Sequence, residues 1–568
     1  MRASTLRTLS ALILTAALSL TAGAQTVDAT QYGVAADPAA DHLPALRRAM
    51  DAAAYQRRPG QVAVVQLPCG TIGYAGQASI PDSVLVLGCG GGRVTQARDD
   101  NGVAYTYVRP VVLDGLPETR LRVLDSSMLD DRGLPVVTRF GVRPGTTWMG
   151  VAHLVLDGNW EENLADYEAI PADHVKPFLQ DGNGVAAFAL DGSAGRPECR
   201  GEHDPHGPGG RVVLHLRGVI VTGYAANGLV GTTCMWYDGE AVSLGRALHN
   251  HTFYGGNGRF RDLTLEGWAW TNMVVMADLE VDGLTILVRE PSPSGRWNPE
   301  VVNVRQGTLT VRRLYADTRN ADGGTDRFGM PGQLFRTDYG RVLLDGLDWA
   351  TGPGSGDGVS IGTLGDGGVV RRATLHGDAG TLFGGLYHSA PPRDGVAHLY
   401  ADSVVVTGRT TQGLVADRGE YPARLRLSRV DARGMFVMGG SGDQRAAVAL
   451  TDSRIETDRV GAWPHTGGEA TVYEGRYVTP ATLCADRATR TASNVRFTAT
   501  PAPGCQQLLA APIPEVPRMA PVEPPPPVEP PSGPPDGSPR YILRSIDHCW
   551  DTQTGRFAAR ELCPPSSD

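Results

Sequence analysis

Apolar residues recur at alternate positions in short runs along the chain. RDLTLEG from Arg261, VDGLTILV from Val281, ADSVVVTG from Ala401 and ARLRLSRVDARG from Ala423 each end in a polar or glycine bend. Successive side chains of a strand point to opposite faces, so Leu263 and Leu265 face one way and Thr264 the other. Similar units recur at LHLRGVIVTG, TLTVRRLYAD, VLLDGLDWA, VVRRATLHG and VALTDSRIETD, at spacings of about 20 to 33 residues, as in a solenoid whose rungs carry insertions. One such unit cannot bury its apolar face alone. Stacking copies about 4.8 Å apart closes a shared core and pairs the backbone. The pattern predicts an all-β, single-stranded parallel β-helix. A β-propeller is the alternative, and it would require antiparallel blades with a steadier period.

A solenoid leaves an open strand edge at each end, and the sequence offers a cover for the first. In ADHLPALRRAMDAAA, Asp41 can cap a helix, Pro44 fits its first turn, and Leu43, Leu46, Met50 and Ala53 or Ala54 share one face. Upstream, Arg2 and Arg7 precede an apolar run from about Leu9 to Leu20 and then Ala22-Gly23-Ala24, the pattern of a secretory signal peptide. Residues 1–25 are therefore assigned as a signal and residues 26–510 as the helix domain. Residues 511–540 contain 13 prolines and form a linker, followed by a small tail, 541–568, stapled by Cys549 and Cys563. No stretch carries the roughly 20 apolar residues of a membrane span.

Export changes how the 8 cysteines are read. Their order suggests neighbour pairs, Cys69 with Cys89, Cys199 with Cys234, Cys484 with Cys505 and Cys549 with Cys563, though the sequence leaves the pairing open. No C-x-x-C pair marks a zinc ribbon. The net charge is -9, and removing the signal with its two arginines gives -9 - 2 = -11. That balance argues against nucleic acid as partner. All basic residues except Lys176 are arginine.

The segments TQYGVAADPAADHLPALRRAMDAAA, QVAVVQLPCGTI and IPDSVLVLGCGGG resemble the opening of the pectate-lyase-superfamily domain of rhamnogalacturonase-like and epimerase-like proteins. Tyr32-Gly33, Asp41, Leu67-Pro68-Cys69-Gly70 and Leu87-Gly88 stand at the matching places. The resemblance implies a right-handed parallel β-helix that acts on polysaccharides. The typical calcium aspartates of pectate lyases and the acidic series of polygalacturonase-type hydrolases are not identifiable in this chain, and Asp130-Asp131 lies in a turn-like LDDRGLP.

Candidate chemistry concentrates between residues 174 and 282. Asp204-Pro205-His206, followed by GGRVVLHLRGVIVTGYAANGLVG, resembles the Asp-Pro-His element of alginate C5-epimerases. By that resemblance Asp204 and His206 move the C5 proton of a uronate, while Lys176, Arg200 or Arg211 neutralises its carboxylate, as such chemistry requires. Gly201 and Gly207 depart from the family's tyrosine and acid, with Tyr224 or Tyr237 as substitutes. Trp236, Tyr237, Trp268 and Trp270 are candidates for stacking on sugar rings. His249 and His251 would share a strand face but lack an obvious third metal ligand. Asp278, Glu280 and Asp282 alternate with apolar residues, which suits a solvated strand face or a calcium site. No metal site is assigned on this basis.

Two function classes follow. One is a secreted, periplasmic or surface enzyme on uronate-containing polysaccharide, lyase or C5-epimerase ahead of hydrolase. The other is a non-catalytic envelope or adhesion protein that engages a cell-envelope partner through its C-terminal tail.

Overall fold

The computed structural model describes residues 25–110, 118–124, 139–143, 145–160, 186–189, 212–224, 227–231, 235–245, 251–267, 271–288, 300–319, 333–352, 360–384, 392, 395–416, 423–434, 438–439, 446–457, 482–486, 489–492, 495–498, 509–519, 541–543, 548–551 and 556–559.

These residues form a single-stranded right-handed parallel β-helix. A hairpin, β1 (Gly92–Arg98) and β2 (Ala104–Pro110), precedes the regular rungs. The long strands follow as β3 (Trp148–Asp157), β4 (Val212–Thr222), β5 (Met235–Leu244), β6 (Asn257–Glu266), β7 (Leu279–Leu287), β8 (Thr308–Asp317), β9 (Arg341–Gly352), β10 (Gly368–Gly377), β11 (Ala397–Val406) and β12 (Ala423–Arg433). Each pairs in parallel with the next, and a second sheet of 12 short strands runs between them. The parallel ladder excludes a propeller.

Every long strand has a residue with a left-handed backbone near its middle. These residues stack in a column: His153, Gly218, Ala241, Asp262, Gly283, Arg313, Gly346, Arg372, Ser403 and Arg429. The register steps over them, Ala152 pairing with Arg217 and Leu154 with Val219. Each long strand is thus two strands joined at a sharp bend, and the in-out alternation slips by one position there.

Inside, like residues stack from rung to rung. Before the bend, Val151, Leu216, Gly239, Phe260, Val281, Val311, Leu344 and Val370 are in register. After it, Leu154, Val219, Val242, Leu263, Leu284, Leu314 and Leu347 line up in the same way. All of these apolar side chains are buried in one continuous core, where each contributes about 1.5–3 kcal/mol. Gly239 has no side chain because Phe260 occupies its space: a Cβ there would lie 2.1 Å from the Phe260 ring.

Outside, one column alternates in charge over eight rungs: Arg217, Glu240, Arg261, Asp282, Arg312, Asp345, Arg371 and Asp402. Opposite charges on neighbouring strands contribute about 0.2–1 kcal/mol per pair. This ladder accounts for Asp282, which also bonds Arg313 at 2.8 Å. Asp278 accepts the Thr308 backbone N–H at 2.8 Å. Among the described residues no three His, Cys, Asp or Glu side chains gather into a metal site.

The helix α1 (Leu43–Gln56) covers the first rung with Leu43, Leu46, Met50 and Ala53 buried, as the sequence predicts. Asp41 sits two residues before Leu43 and accepts its backbone N–H at 3.0 Å, and it also accepts the Ala75 N–H at 3.1 Å. Cys69 and Cys89 form a disulfide that ties the opening strands together. The other six cysteines lie outside the described side chains. No helix among the described residues is long and apolar enough to cross a membrane.

The start of the proline-rich segment lies on the solenoid. Val516 and Ile513 pack on Leu343, Val369 and Tyr400, and Glu515 bonds Arg371 at 2.5 Å. Proline bars this segment from a ladder but not from lying across one. The tail strands Tyr541–Leu543, His548–Asp551 and Arg556–Ala559 form a separate antiparallel sheet.

Candidate functional site

The pre-bend halves of β3 to β6 present a polar and aromatic face. Alternation in LHLRG buries Leu214 and Leu216 and turns His215 and Arg217 outward. In MWYDGE it buries Met235 and Tyr237 and turns Trp236, Asp238 and Glu240 outward. The register then sets His215 beside Asp238, and Asp238 beside Arg259.

Those neighbours bond. His215 Nδ1 lies 3.1 Å from Asp238 Oδ2, and Arg259 Nε donates to Asp238 Oδ1 at 3.1 Å. Burial pushes the Asp238 carboxyl up, but the His215 and Arg259 bonds and charges outweigh it and hold the group below the ordinary value. Asp238 is therefore an anion that fixes the imidazole's orientation and favours the tautomer with its proton on Nδ1. Nε2 then carries the free lone pair. At the bend below, burial and, after it, the Arg217 charge hold the His153 imidazole below its ordinary value.

Trp148 supplies an aromatic wall. Its ring stacks on His215 with centroids 5.9 Å apart and planes 24° apart. It can lie there because Gly150 is bare: a Cβ at Gly150 would come within 2.8 Å of the Trp148 ring. Trp236 stands in register with Val213, one row from Asp238, and is half-buried on the same face. A ring nitrogen held by a carboxylate, a guanidinium and two indoles can bind a sugar ring and move one of its protons.

Among the residues the sequence singled out, Trp236 falls in this site. Tyr237 does not. It is 0 % exposed, with its ring 5.0 Å from Phe253 and 5.9 Å from Phe260. Tyr237 is a core residue with no access to a saccharide, because the strand alternation that exposes Trp236 buries its neighbour. Tyr224 is likewise buried, its hydroxyl 3.1 Å from that of Tyr74. Neither phenol can replace the family's tyrosine. Asp204, His206, Lys176, Arg200, Arg211, Trp268, Trp270, Asp130, Asp131 and His249 lie outside the described residues, as does the His251 side chain. His215, Asp238, Arg259 and Trp148 were not singled out. Alternation marks His215 and Asp238 as outward, but their partnership spans 23 residues and depends on the register.

A second polar cluster lies on the short-strand sheet. Glu300 is buried, near Thr271 at 3.3 Å, Asn303 at 3.4 Å and Arg336 at 3.6 Å. Burial raises its carboxyl above the ordinary value despite the Arg336 charge. Its Oε2 has no hydrogen-bond partner among the described residues.

No family model matches the chain, and no curated protein matches it in sequence. Solved structures similar to it include the A-module of the Azotobacter vinelandii mannuronan C-5 epimerase AlgE6, at 12% identity over 82% of this chain and 99% of that one, with a TM-score of 0.29. The catalytic unit of a GH87 alpha-1,3-glucanase from Streptomyces thermodiastaticus matches at 13% identity over 83% and 69%, TM-score 0.37. PfbA, a surface adhesin of Streptococcus pneumoniae, matches at 8% identity over 84% and 94%, TM-score 0.34. The architecture assigned to this chain rests on its own strand register.

Proposed function

We propose that this is an exported polysaccharide-acting β-helix protein that removes the C5 proton of a uronate residue, as a lyase or a C5-epimerase. The observation that carries the reading is the chain Trp148–His215–Asp238–Arg259 across four adjacent rungs. A sugar stacked against Trp148 and Trp236 exposes a C–H bond to His215 Nε2. Removing that proton leaves negative charge on the carbon next to the carboxylate, and the Arg259 guanidinium stabilises it. His215 is the catalytic base and Asp238 its positioning residue. The proton then returns on the opposite side of the ring in epimerisation, or the bond to the neighbouring sugar breaks in elimination. The Cys69–Cys89 disulfide supports an oxidising location outside the cytoplasm. The tail 541–568 serves as a tether to a cell-envelope partner.

The test is incubation of the full chain with a panel of uronate polysaccharides. Ultraviolet absorbance reads the unsaturated product of elimination, and NMR reads inverted uronates. The expected result is one of these products with at least one polymer, lost in His215→Ala and reduced in Trp236→Ala. Neither product from any polymer would overturn the reading and favour the non-catalytic envelope class.

A further inference from the structure

The outward row that holds His215, Asp238 and Arg259 does not end with them. It continues in register through Glu280 on β7 and Thr310 on β8, then through Leu343, Val369, Tyr400 and Arg426 on β9 to β12. Its character changes on the way. On β4 to β6 it is charged and part-exposed, the His215, Asp238 and Arg259 side chains being 28%, 27% and 18% exposed, and Glu280 on β7 is half-buried. From β8 it is closed, with Thr310, Leu343, Val369 and Arg426 buried.

Residues 511–518, APIPEVPR, cover it over β9 to β12. Val516 and Ile513 pack on Leu343, Val369 and Tyr400. Arg426 Nε donates to the Ala511 carbonyl at 3.4 Å, and Arg371, in the neighbouring row, bonds the exposed Glu515 at 2.5 Å. Pro512, Pro514 and Pro517 hold this strap extended and deny it the N–H groups needed to join a sheet ladder. An extended proline helix has three residues per turn, so Ile513 and Val516 share the face that meets the sheet.

The direction of the strap follows from its contacts. Ala511 stands at β12, and Val516, five residues on, lies against β9 and β10. At roughly 3.1 Å per residue those five cover about 15 Å, matching three rung steps of about 4.8 Å. The strap therefore runs along the solenoid axis in the row of the His215 site, and toward it. At the other end of the row, the Trp148 ring lies over Gly150, the residue in register with His215. The stretch between, β4 to β7, is three rung steps or about 14 Å long.

We propose that residues 511–518 are the end wall of the substrate cleft and limit a bound uronate chain to the short stretch over β4 to β7. The proposal rests on the uronate reading above. The strap resembles the polymer it excludes, an extended chain with a carboxylate seated on a guanidinium. With the strap detached, Leu343 and Val369 present an apolar floor to further sugar rings, and Arg371 loses Glu515 and can take a uronate carboxylate in its place.

The experiment measures calorimetric affinities of the full chain for a uronate trisaccharide and octasaccharide. Wild type is compared with Ile513→Asp/Val516→Asp and with the milder Val516→Ser, circular dichroism confirming each fold. Trypsin cleavage after Arg518 reports detachment of the strap and should be faster in both variants. The ratio of octasaccharide to trisaccharide affinity should rise about tenfold in the double variant, and by less in Val516→Ser. The added aspartates repel a polyanion, so their charge cannot produce that rise. An unchanged ratio with the strap detached overturns the end wall, and unchanged cleavage in both variants overturns the role given to Ile513 and Val516. No binding of either oligosaccharide by any of the proteins overturns the uronate reading itself, and the end wall with it.

Discussion

Replacing Asp238 with asparagine changes one oxygen into an NH2 group and should disable the site without changing its shape. In the native protein the carboxylate accepts from His215 and from Arg259, each at 3.1 Å. Asparagine can keep one oxygen for Arg259, which leaves its NH2 facing His215 Nδ1. Two donors cannot bond, so the imidazole must move its proton to Nε2 to accept at Nδ1. That tautomer has no lone pair at Nε2. Proton abstraction should fall by about 10²–10⁴, the range attributed to a positioned base. Stability should fall as well. Charge-assisted bonds contribute about 1.5–3 kcal/mol each when buried, but the Asp238 side chain is 27% exposed, and solvent reduces the pair to about 1–2 kcal/mol in total. Urea unfolding of both proteins over a series of pH values is the assay. Because the folded state holds the Asp238 carboxyl below its ordinary value of 3.8, its contribution is complete above that value and disappears as pH falls through the lower, folded value. The difference between wild type and Asp238→Asn should therefore be largest near neutrality and shrink below about pH 4. A difference that is absent at neutral pH, or equally large in strong acid, would refute the reasoning.

Three further outcomes follow from the fold. Gly239→Ala places a methyl 2.1 Å from the Phe260 ring, which Tyr237 and Phe253 hem in, and should cost about 3 kcal/mol in denaturant unfolding; a loss below half that value means the ring can yield. Glu300→Gln removes a buried acid whose folded value is raised. The native carboxyl's contribution is present below its unfolded value and lost as pH rises through the folded one, so the variant should lose less stability than wild type between acid and neutral pH, read by thermal unfolding. Asp282→Lys puts three cations in a row with Arg261 and Arg312 and should destabilise by about 1–2 kcal/mol; added salt should reduce the loss, and a salt-independent loss argues against the charge ladder.

The solenoid was legible in the sequence because its core is built from repeated outward-inward alternation. Leu263 and Leu265 point inward as their spacing requires, and α1 buries the face that its apolar residues define. The bend column was not legible. Asp262, Arg313, Arg372 and Arg429 occupy left-handed positions, yet as polar residues they look like ordinary outward strand positions, and only Gly218, Gly283 and Gly346 carry a backbone signal. Residue type alone assigns both Trp236 and Tyr237 to a sugar, whereas the alternation of their strand turns Trp236 outward and buries Tyr237. The His215–Asp238 pair needed the register, which depends on how many residues each rung inserts. The proline-rich stretch was read from what proline forbids; Ile513 and Val516, two apolar residues three apart, hold its first part on the sheet.

The central claim is that His215, oriented by Asp238, takes the C5 proton of a bound uronate. It is tested most directly by following the H5 signal of a polyuronate by NMR in deuterium oxide with wild type and His215→Ala. Both elimination and epimerisation break that C–H bond, so wild type should deplete the H5 signal and the variant should do so at least about 100-fold more slowly. Equal rates in the two proteins, or an H5 signal that wild type leaves intact in every polyuronate, would contradict the account.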